Sequence, residues 1–290
     1  MRRLRTRLSQ RRSVLGINAR NLHGVYPHNG RRFFPNVDDK LLCKALLSAH
    51  EISVPATHYV VSTPQDLEGW PKAVADVDKF VIKPNSGYGG NGVAPVVKRN
   101  DMMFIGDRQI DSDDVEFHLL QIMNGGFSRD NMVDSAFLEQ FVEYDGVLGD
   151  LVPRDVDGIP DIRIIYLYSR PLTAMLRLPT RESGGRANLH QGGIGVGIDL
   201  DAGVTSDGCY RNRIILRHPE TGVSLHGRSV PSFEEMRELG TRIAGIVGLG
   251  YIGVDFVIDA ASGPMVLEVN ARPGLNIQIA NATGLRGEFL

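Results

Sequence analysis

The stretch Asp255-Phe-Val-Ile-Asp-Ala-Ala-Ser-Gly-Pro-Met-Val-Leu-Glu268-Val-Asn270 limits the fold most. Two strongly apolar strands flank a turn built from Asp259, Ala260, Ala261, Ser262 and Gly263. With a four-residue loop at 260–263, Asp259 pairs with Pro264 and Asp255 lies opposite Glu268; period two then sets Asn270 on the face of Glu268. Carboxylates directly opposed across a sheet repel. Among Val, Ile and Leu they raise each other's pKa or require a cation. Two carboxylates and an amide oxygen suit Mg²⁺, with Mn²⁺ as a substitute, when phosphate and water complete the shell. The bland reading, an exposed polar hairpin face, leaves the acid pair unexplained.

A second cluster runs Lys83-Pro-Asn-Ser-Gly-Tyr-Gly-Gly-Asn-Gly-Val. Gly87, Gly89 and Gly92 match G-x-G-x-x-G, but a dinucleotide fold requires those glycines to open a helix. Here VAPVV follows, which reads as a strand, with Pro95 suggesting an edge. No Gly-Lys-Ser/Thr ends the run, so a Walker loop is excluded. A strand, a glycine turn (Gly87, Gly89, Gly90, Gly92) and a second strand make a hairpin whose backbone N–H groups suit phosphate oxygens. Lys83 precedes the loop, placed to neutralise phosphate charge. A flexible surface hairpin with a solvated lysine is the bland alternative.

Strands are also expected at 79–83, 137–142, 161–168, 173–178, 251–258 and 264–270. Helices are expected behind Asp38-Asp39 and over 233–247, the second with a Ser232/Glu235 capping box. Residues 13–37 read as an extended arm with a short strand near Val14–Ile17, and 99–135 and 145–160 as irregular insertions. Asp161 and Arg163 share a strand face and read as a salt bridge. Trp70 reads as packing. Segment 182–197, with six glycines plus Arg186 and His190, reads as a mobile lid over the site, with His190 as a candidate general base.

The formal net charge of −2 gives no sign of a polyanion-binding protein, so no nucleic-acid partner is expected. Cys43 and Cys209 make no disulfide framework, which points to a reducing, cytoplasmic compartment. No apolar run approaches the roughly 18–20 residues of a membrane span. The first twelve residues hold six Arg and read as a solvated basic arm rather than a secretory signal.

The order and spacing of DKLLCKALL, ISVPAT, FVIKPNSGYGGNGV, FLEQFVE, DIRIIYL, ANLHQGG, GVDFVID and LEVNARPG, from about Asp38 to Gly284, resemble the ATP-grasp superfamily, closest to RimK-type α-L-glutamate ligases. That resemblance implies an α+β fold in which two lobes grip ATP between antiparallel sheets. The expected organisation is a basic arm at 1–37, a small lobe with the glycine loop at 38–140 and a large lobe with the metal site at 141–290. By the resemblance, Lys40 and Lys83 are the nucleotide-phosphate lysines. Glu139, Gln140, Phe141 and Val142 form the hinge that reads adenine, and Glu143 binds ribose. Asp255, Glu268 and Asn270 hold Mg²⁺. Arg177 and Arg272 face the transferred phosphate, and Asn188 sits in a substrate-side loop. The implied activity is an ADP-forming carboxylate–amine ligase, with an amino acid or peptide plausible on one side. An ATP-binding regulatory protein and a small-molecule kinase on the same fold are the alternatives. Only about 37 residues precede the first lysine, fewer than such proteins usually carry, so a homo-oligomer or partner subunit is expected to complete the substrate site.

Overall fold

The computed structural model describes residues 13–128, 131–144 and 146–289; the basic arm at 1–12 lies outside them. The described residues divide into two compact units: 39–41 with 55–128 and 131–142, and 13–38, 42–54, 143–144 and 146–289. The expected boundaries at 38 and 141 differ from this division, because the segment before Lys40 and residues 42–54 pack with the later part of the chain.

The smaller unit is a six-stranded antiparallel sheet of β1 (Thr57–Val61), β2 (Lys79–Pro84), β3 (Ala94–Arg99), β4 (Met102–Ile105), β5 (Arg108–Ile110) and β6 (Ala136–Gln140). The strand order is β1-β6-β2-β3-β4-β5. In β2, Phe80 and Ile82 are buried, so the alternate residues Val81 and Lys83 face the other way. The buried side packs on Val115, Leu119 and Ile122, whose spacing marks one face of a helix over Ser112–Met123, and on Trp70. The stretch 99–135, expected to be irregular, thus supplies two strands and a helix. Short strands and a helix with a polar first turn give weak periodicity in sequence. Pro95 lies in β3, an interior strand, not at an edge.

The larger unit is built on a seven-stranded antiparallel sheet. Its strands are β7 (Asp161–Leu167), β8 (Arg170–Leu178), β9 (Ile194–Ile198), β10 (Thr205–Tyr210), β11 (Arg213–Ile215), β12 (Tyr251–Asp259) and β13 (Gly263–Asn270). The order is β11-β10-β9-β8-β7-β12-β13. The longer helices among the described residues, in chain order, are α1 (Lys40–Ala49), α2 (Ser112–Met123) and α3 (Phe233–Val247). One sheet face, including Ile162, Ile164, Leu176 and Val254, packs on Phe233, Met236, Ile243 and Val247 of α3. The opposite face carries Ile165, Met175 and Tyr251 at one end, covered by Leu15, Val25, Ile277 and Leu285.

Within residues 13–37, expected to be an extended arm with a short strand near Val14–Ile17, no strand forms; short helical turns run instead over Ile17–Arg20, Asn21–Val25, Tyr26–His28 and Pro35–Asp38. Contacts made far along the chain hold them. Asn29 Nδ2 donates to the carbonyls of Tyr251 (2.8 Å) and Ala271 (3.1 Å), and its Oδ1 accepts from Tyr251 N (2.8 Å). The α3 capping box does not form: Ser232 sits at φ 52° and makes no side-chain cap bond. In that left-handed conformation the hydroxyl is turned away from the first-turn amides. Among the described residues no helix is long and apolar enough to cross a membrane.

Candidate functional site

In the smaller unit, the glycine loop between β2 and β3 is fixed at both ends. Ser86 N donates to both carboxylate oxygens of buried Asp134, at 2.9 and 3.1 Å. At the far end, the His118 imidazole Nε2 of α2 lies 2.9 Å from the Gly92 carbonyl. Burial pulls the His118 pKa below its ordinary value, so the ring is neutral and donates to that oxygen. Gly92 has φ 75°, and a Cβ there would lie 2.6 Å from the Phe127 ring. Neither the backbone nor the space admits another residue. Gly89 and Gly90 also adopt positive φ.

Lys40, at the start of α1, donates from Nζ to the carbonyls of Gly87 (2.5 Å) and Asn85 (3.3 Å). Asn85 in turn caps α1, its Oδ1 accepting from Leu41 N at 2.8 Å. Lys83 is ion-paired with Glu139 of β6, whose side chain is almost wholly buried. The two are near diagonal neighbours, since Lys83 pairs with Phe137 and Val81 with Glu139. Gln140 bonds Ala56 through backbone and side chain. Phe141 packs its ring 5.7 Å from Lys79 Nζ, and Val142 is buried.

In the larger unit, four charged groups interlock on the sheet face opposite α3. Strand register sets them side by side: Asp161 opposes Arg177, Arg163 opposes Asp255, and Asp255 opposes Glu268. Arg163 donates from Nε to Asp255 Oδ1 at 2.6 Å and from Nη2 to Oδ2 at 2.5 Å. Arg177 donates from Nη2 to Asp161 Oδ2 at 2.7 Å and to Asp255 Oδ2 at 2.8 Å, and its Nε bonds Asp161 Oδ1. Asn270 Nδ2 lies 3.3 Å from Asp255 Oδ2. Burial pushes the Asp161 carboxyl up to about 6, against the pull of Arg177. Burial acts upward on Asp255 too, but Arg163 and Arg177 together outweigh it and hold its pKa below the ordinary value. Arg177 is held above its usual range; burial acts downward, and Asp161, Asp255 and Glu268 overcome it.

The opposition of Asp255 and Glu268 arises differently from the expected four-residue loop. Asp259 pairs with Gly263, one residue short, and a bulge beside Asp255 restores the offset. The expected Asp161–Arg163 salt bridge is absent: each residue pairs across strands instead. Arg272 is exposed, its guanidinium 4.2 Å from the Phe34 ring centroid. Asn188 caps a local turn, its Oδ1 accepting from His190 N at 3.1 Å, and makes no side-chain hydrogen bond to the arginine cluster among the described residues. Glu143 bonds to the Asp259 turn through its amide and carbonyl.

Residues 20–289 match the model of the sugar-transfer associated ATP-grasp family. The chain belongs to that family. Its relatives include a probable alpha-L-glutamate ligase of Halorhodospira halophila, 26% identical over 262 residues, 90% of this chain and 64% of that protein. Another, of Maridesulfovibrio salexigens, is 31% identical over 252 residues, 87% of this chain and 61% of that protein. The chain thus spans less than two thirds of the length of these relatives. The crystal structure of D-cycloserine synthetase DcsG aligns with TM-score 0.50 and 17% identity over 88% of this chain and 68% of that one, a likeness of fold.

ATP-grasp membership directs attention to a divalent ion. Among the described residues no three imidazole, thiol or carboxylate groups converge. The oxygen set at Asp255 is two carboxylates and an amide, hard donors of the kind Mg²⁺ takes. Among the described residues Asp255 Oδ1 accepts one hydrogen bond and Oδ2 three, so Oδ1 keeps a lone pair for an ion. The residues therefore fit the ion. Asp134, His118, Asn85 and the pairing roles of Asp161 and Arg163 were missed from sequence. The D-I-R spacing carried a signal, since period two sets both charges on one face; the loop anchors carried none.

Proposed function

We propose that this ATP-grasp protein is an ATP-dependent carboxylate–amine ligase that forms an amide through an acyl phosphate. The observation that best supports this is the buried lattice of Arg163, Arg177, Asp161 and Asp255 beside Glu268 and Asn270. Two guanidinium groups clamped on a metal-type carboxylate suit phosphoryl transfer and exceed what nucleotide binding alone requires. A carboxylate is a poor electrophile because oxide is not a leaving group. A carboxylate oxygen takes the γ-phosphoryl of ATP and ADP leaves. An amine nitrogen then attacks the acyl carbon, phosphate departs with the C–O electron pair, and the nitrogen loses a proton.

Lys40, Lys83 and the loop amides bind the nucleotide phosphates, Lys83 exchanging Glu139 and Lys40 exchanging the loop carbonyls for phosphate oxygens. Glu139 to Val142 present the adenine-reading edge, and Glu143 takes the ribose. Asp255, Glu268 and Asn270 hold Mg²⁺, which when bound supplies Lewis acidity and a template for the phosphates. Arg163 and Arg177 stabilise charge on the transferred group and on the tetrahedral oxyanion. Segment 182–193, with Asn188, excludes water from the acyl phosphate, whereas residues 194–197, expected in the same lid, belong to buried strand β9.

The test is a phosphate-release assay with ATP, Mg²⁺ and panels of acids and amines. The relatives' names and the family's link to sugar transfer place glutamate, uronic acids and amino sugars in those panels. Release that requires both an acid and an amine is expected. Release without amine dependence, or a stable phosphate ester as product, overturns the ligase reading. Lys83→Ala and Glu268→Ala are each expected to abolish turnover in folded protein; unchanged activity removes that residue from the mechanism.

A further inference from the structure

The segment preceding α1 is built into the functional face of the larger unit's sheet. Beyond Asn270 the chain folds back over β12, where a Cβ on Gly253 would lie 2.6 Å from Pro273. Arg20, 8% exposed, donates from Nη1 to the Pro273 carbonyl at 2.8 Å and from Nε to Asn21 Oδ1 at 2.9 Å. Asn29 holds the Ala271 carbonyl, and Phe34 lies against the Arg272 guanidinium. The helical turns over 17–34 thus hold two guanidinium groups against the same short stretch, Ala271 to Gly274, that follows the metal-type Asn270.

Neither Arg20 nor Arg272 has a carboxylate partner among the described residues, whereas Arg163 and Arg177 are both paired. A buried guanidinium without an acid is costly to fold around. Burial lowers the Arg20 pKa, and Arg272 pushes it further the same way against the pull of Tyr251. The Tyr251 hydroxyl is itself buried with no hydrogen-bond partner among the described residues. Arg20 Nη2 makes none of the hydrogen bonds described, so one edge of the fork is left for a ligand.

We propose that Arg20 and Arg272 form a receptor for a carboxylate of the acid substrate other than the one that is phosphorylated, which makes that substrate a dicarboxylate. The inference rests on the ligase reading. The reacting carboxylate loses its charge to the phosphoryl group and then to the amide, whereas a second carboxylate keeps its charge and stays bound throughout. A monoanion with two coplanar oxygens matches a guanidinium fork, and it brings less charge toward Asp255 and Glu268 than a phosphate dianion does.

Titration calorimetry on the full chain, loaded with Mg²⁺ and AMPPNP, tests this with glutarate, butyrate and inorganic phosphate as probes. Glutarate is expected to bind about tenfold or more tighter than butyrate or phosphate. Arg20→Gln should weaken glutarate by about tenfold or more while AMPPNP affinity stays unchanged, and Arg20→Lys should recover part of the loss. Arg272 is exposed, so Arg272→Gln keeps the test open if Arg20→Gln does not fold; it should also weaken glutarate. Glutarate no tighter than butyrate, a preference for phosphate, or unchanged glutarate affinity in the folded variants overturns the receptor. If AMPPNP fails to bind while glutarate binding and its arginine dependence persist, the ligase reading falls and the receptor stands.

Discussion

Arg177 has carboxylates on both sides of its guanidinium, and lysine cannot reproduce that fork even though it keeps the charge. In Arg177→Lys, kcat is expected to fall by on the order of 10²- to 10³-fold with KM for ATP little changed, as for loss of a group that acts on transition-state charge. Steady-state kinetics on the folded variant check this. In the proposed mechanism Glu268 serves the ion rather than the nucleotide base. Glu268→Ala should therefore abolish the extra thermal stabilisation that Mg²⁺ adds to AMPPNP, while the metal-free nucleotide shift remains. At saturation near 100 Kd a ligand adds about 2.7 kcal/mol, which melting curves resolve. The facing of Asp255 and Glu268 agrees with the expected pairing only because a bulge beside Asp255 offsets a turn one residue shorter than expected, and no strand period carries that bulge. The partners of Asp161 and Arg163 were not legible in sequence. Residues directly opposite across strands sit about 4.5–5.5 Å apart at Cβ, closer than i and i+2 along one strand, and only the pairing of β7 with β8 and β12 says who is opposite.

The glycine loop is an element whose ends are anchored by residues remote in sequence, Asp134 and His118. Gly92→Ala meets both a left-handed backbone, costing roughly 1–2 kcal/mol, and the Phe127 ring. ATP turnover is expected to drop sharply, with KM for ATP raised, while circular dichroism stays native. Helix α3 was legible to the residue because its apolar stripe is regular, yet its capping box was not formed. A capping motif states a local preference, and the loop before α3 sets Ser232 in a conformation that defeats it. Ile243→Ala, at a wholly buried position on α3, should destabilise the protein by about 2–5 kcal/mol in urea unfolding. The turns within residues 17–37 differ from the expected extended arm because their apolar residues carry no single period; Asn29 and Arg20 hold them through bonds to β12 and to the segment after β13.

The stability of the whole molecule should depend on acid through His218. Its ring is buried, and Nδ1 accepts from the amides of Glu220 (3.2 Å) and Thr221 (3.3 Å), which fixes Nδ1 as unprotonated. Burial holds its pKa below the ordinary value, against Glu220 and the Pro179 carbonyl. Unfolded histidine titrates near about 6.5, so as pH falls below that point the unfolded chain takes up a proton the folded chain refuses. Stability then declines until the folded pKa is reached and levels off below it. The melting temperature is expected to fall between about pH 6.5 and 5 and to fall less steeply in His218→Gln; equal slopes remove His218 from the acid response. Strands β2, β3, β6, β7, β8, β12 and β13, the main helix and the glycine hairpin followed from sequence alone, because periodicity and turn chemistry act over a few neighbouring residues. Tertiary structure alone decided that Arg163 and Arg177 share Asp255, that Lys83 rests on Glu139, and that Arg20 reaches Pro273. Those pairings join residues from 56 to 253 positions apart, and a charge finds its partner only when folding has brought the two chain segments together.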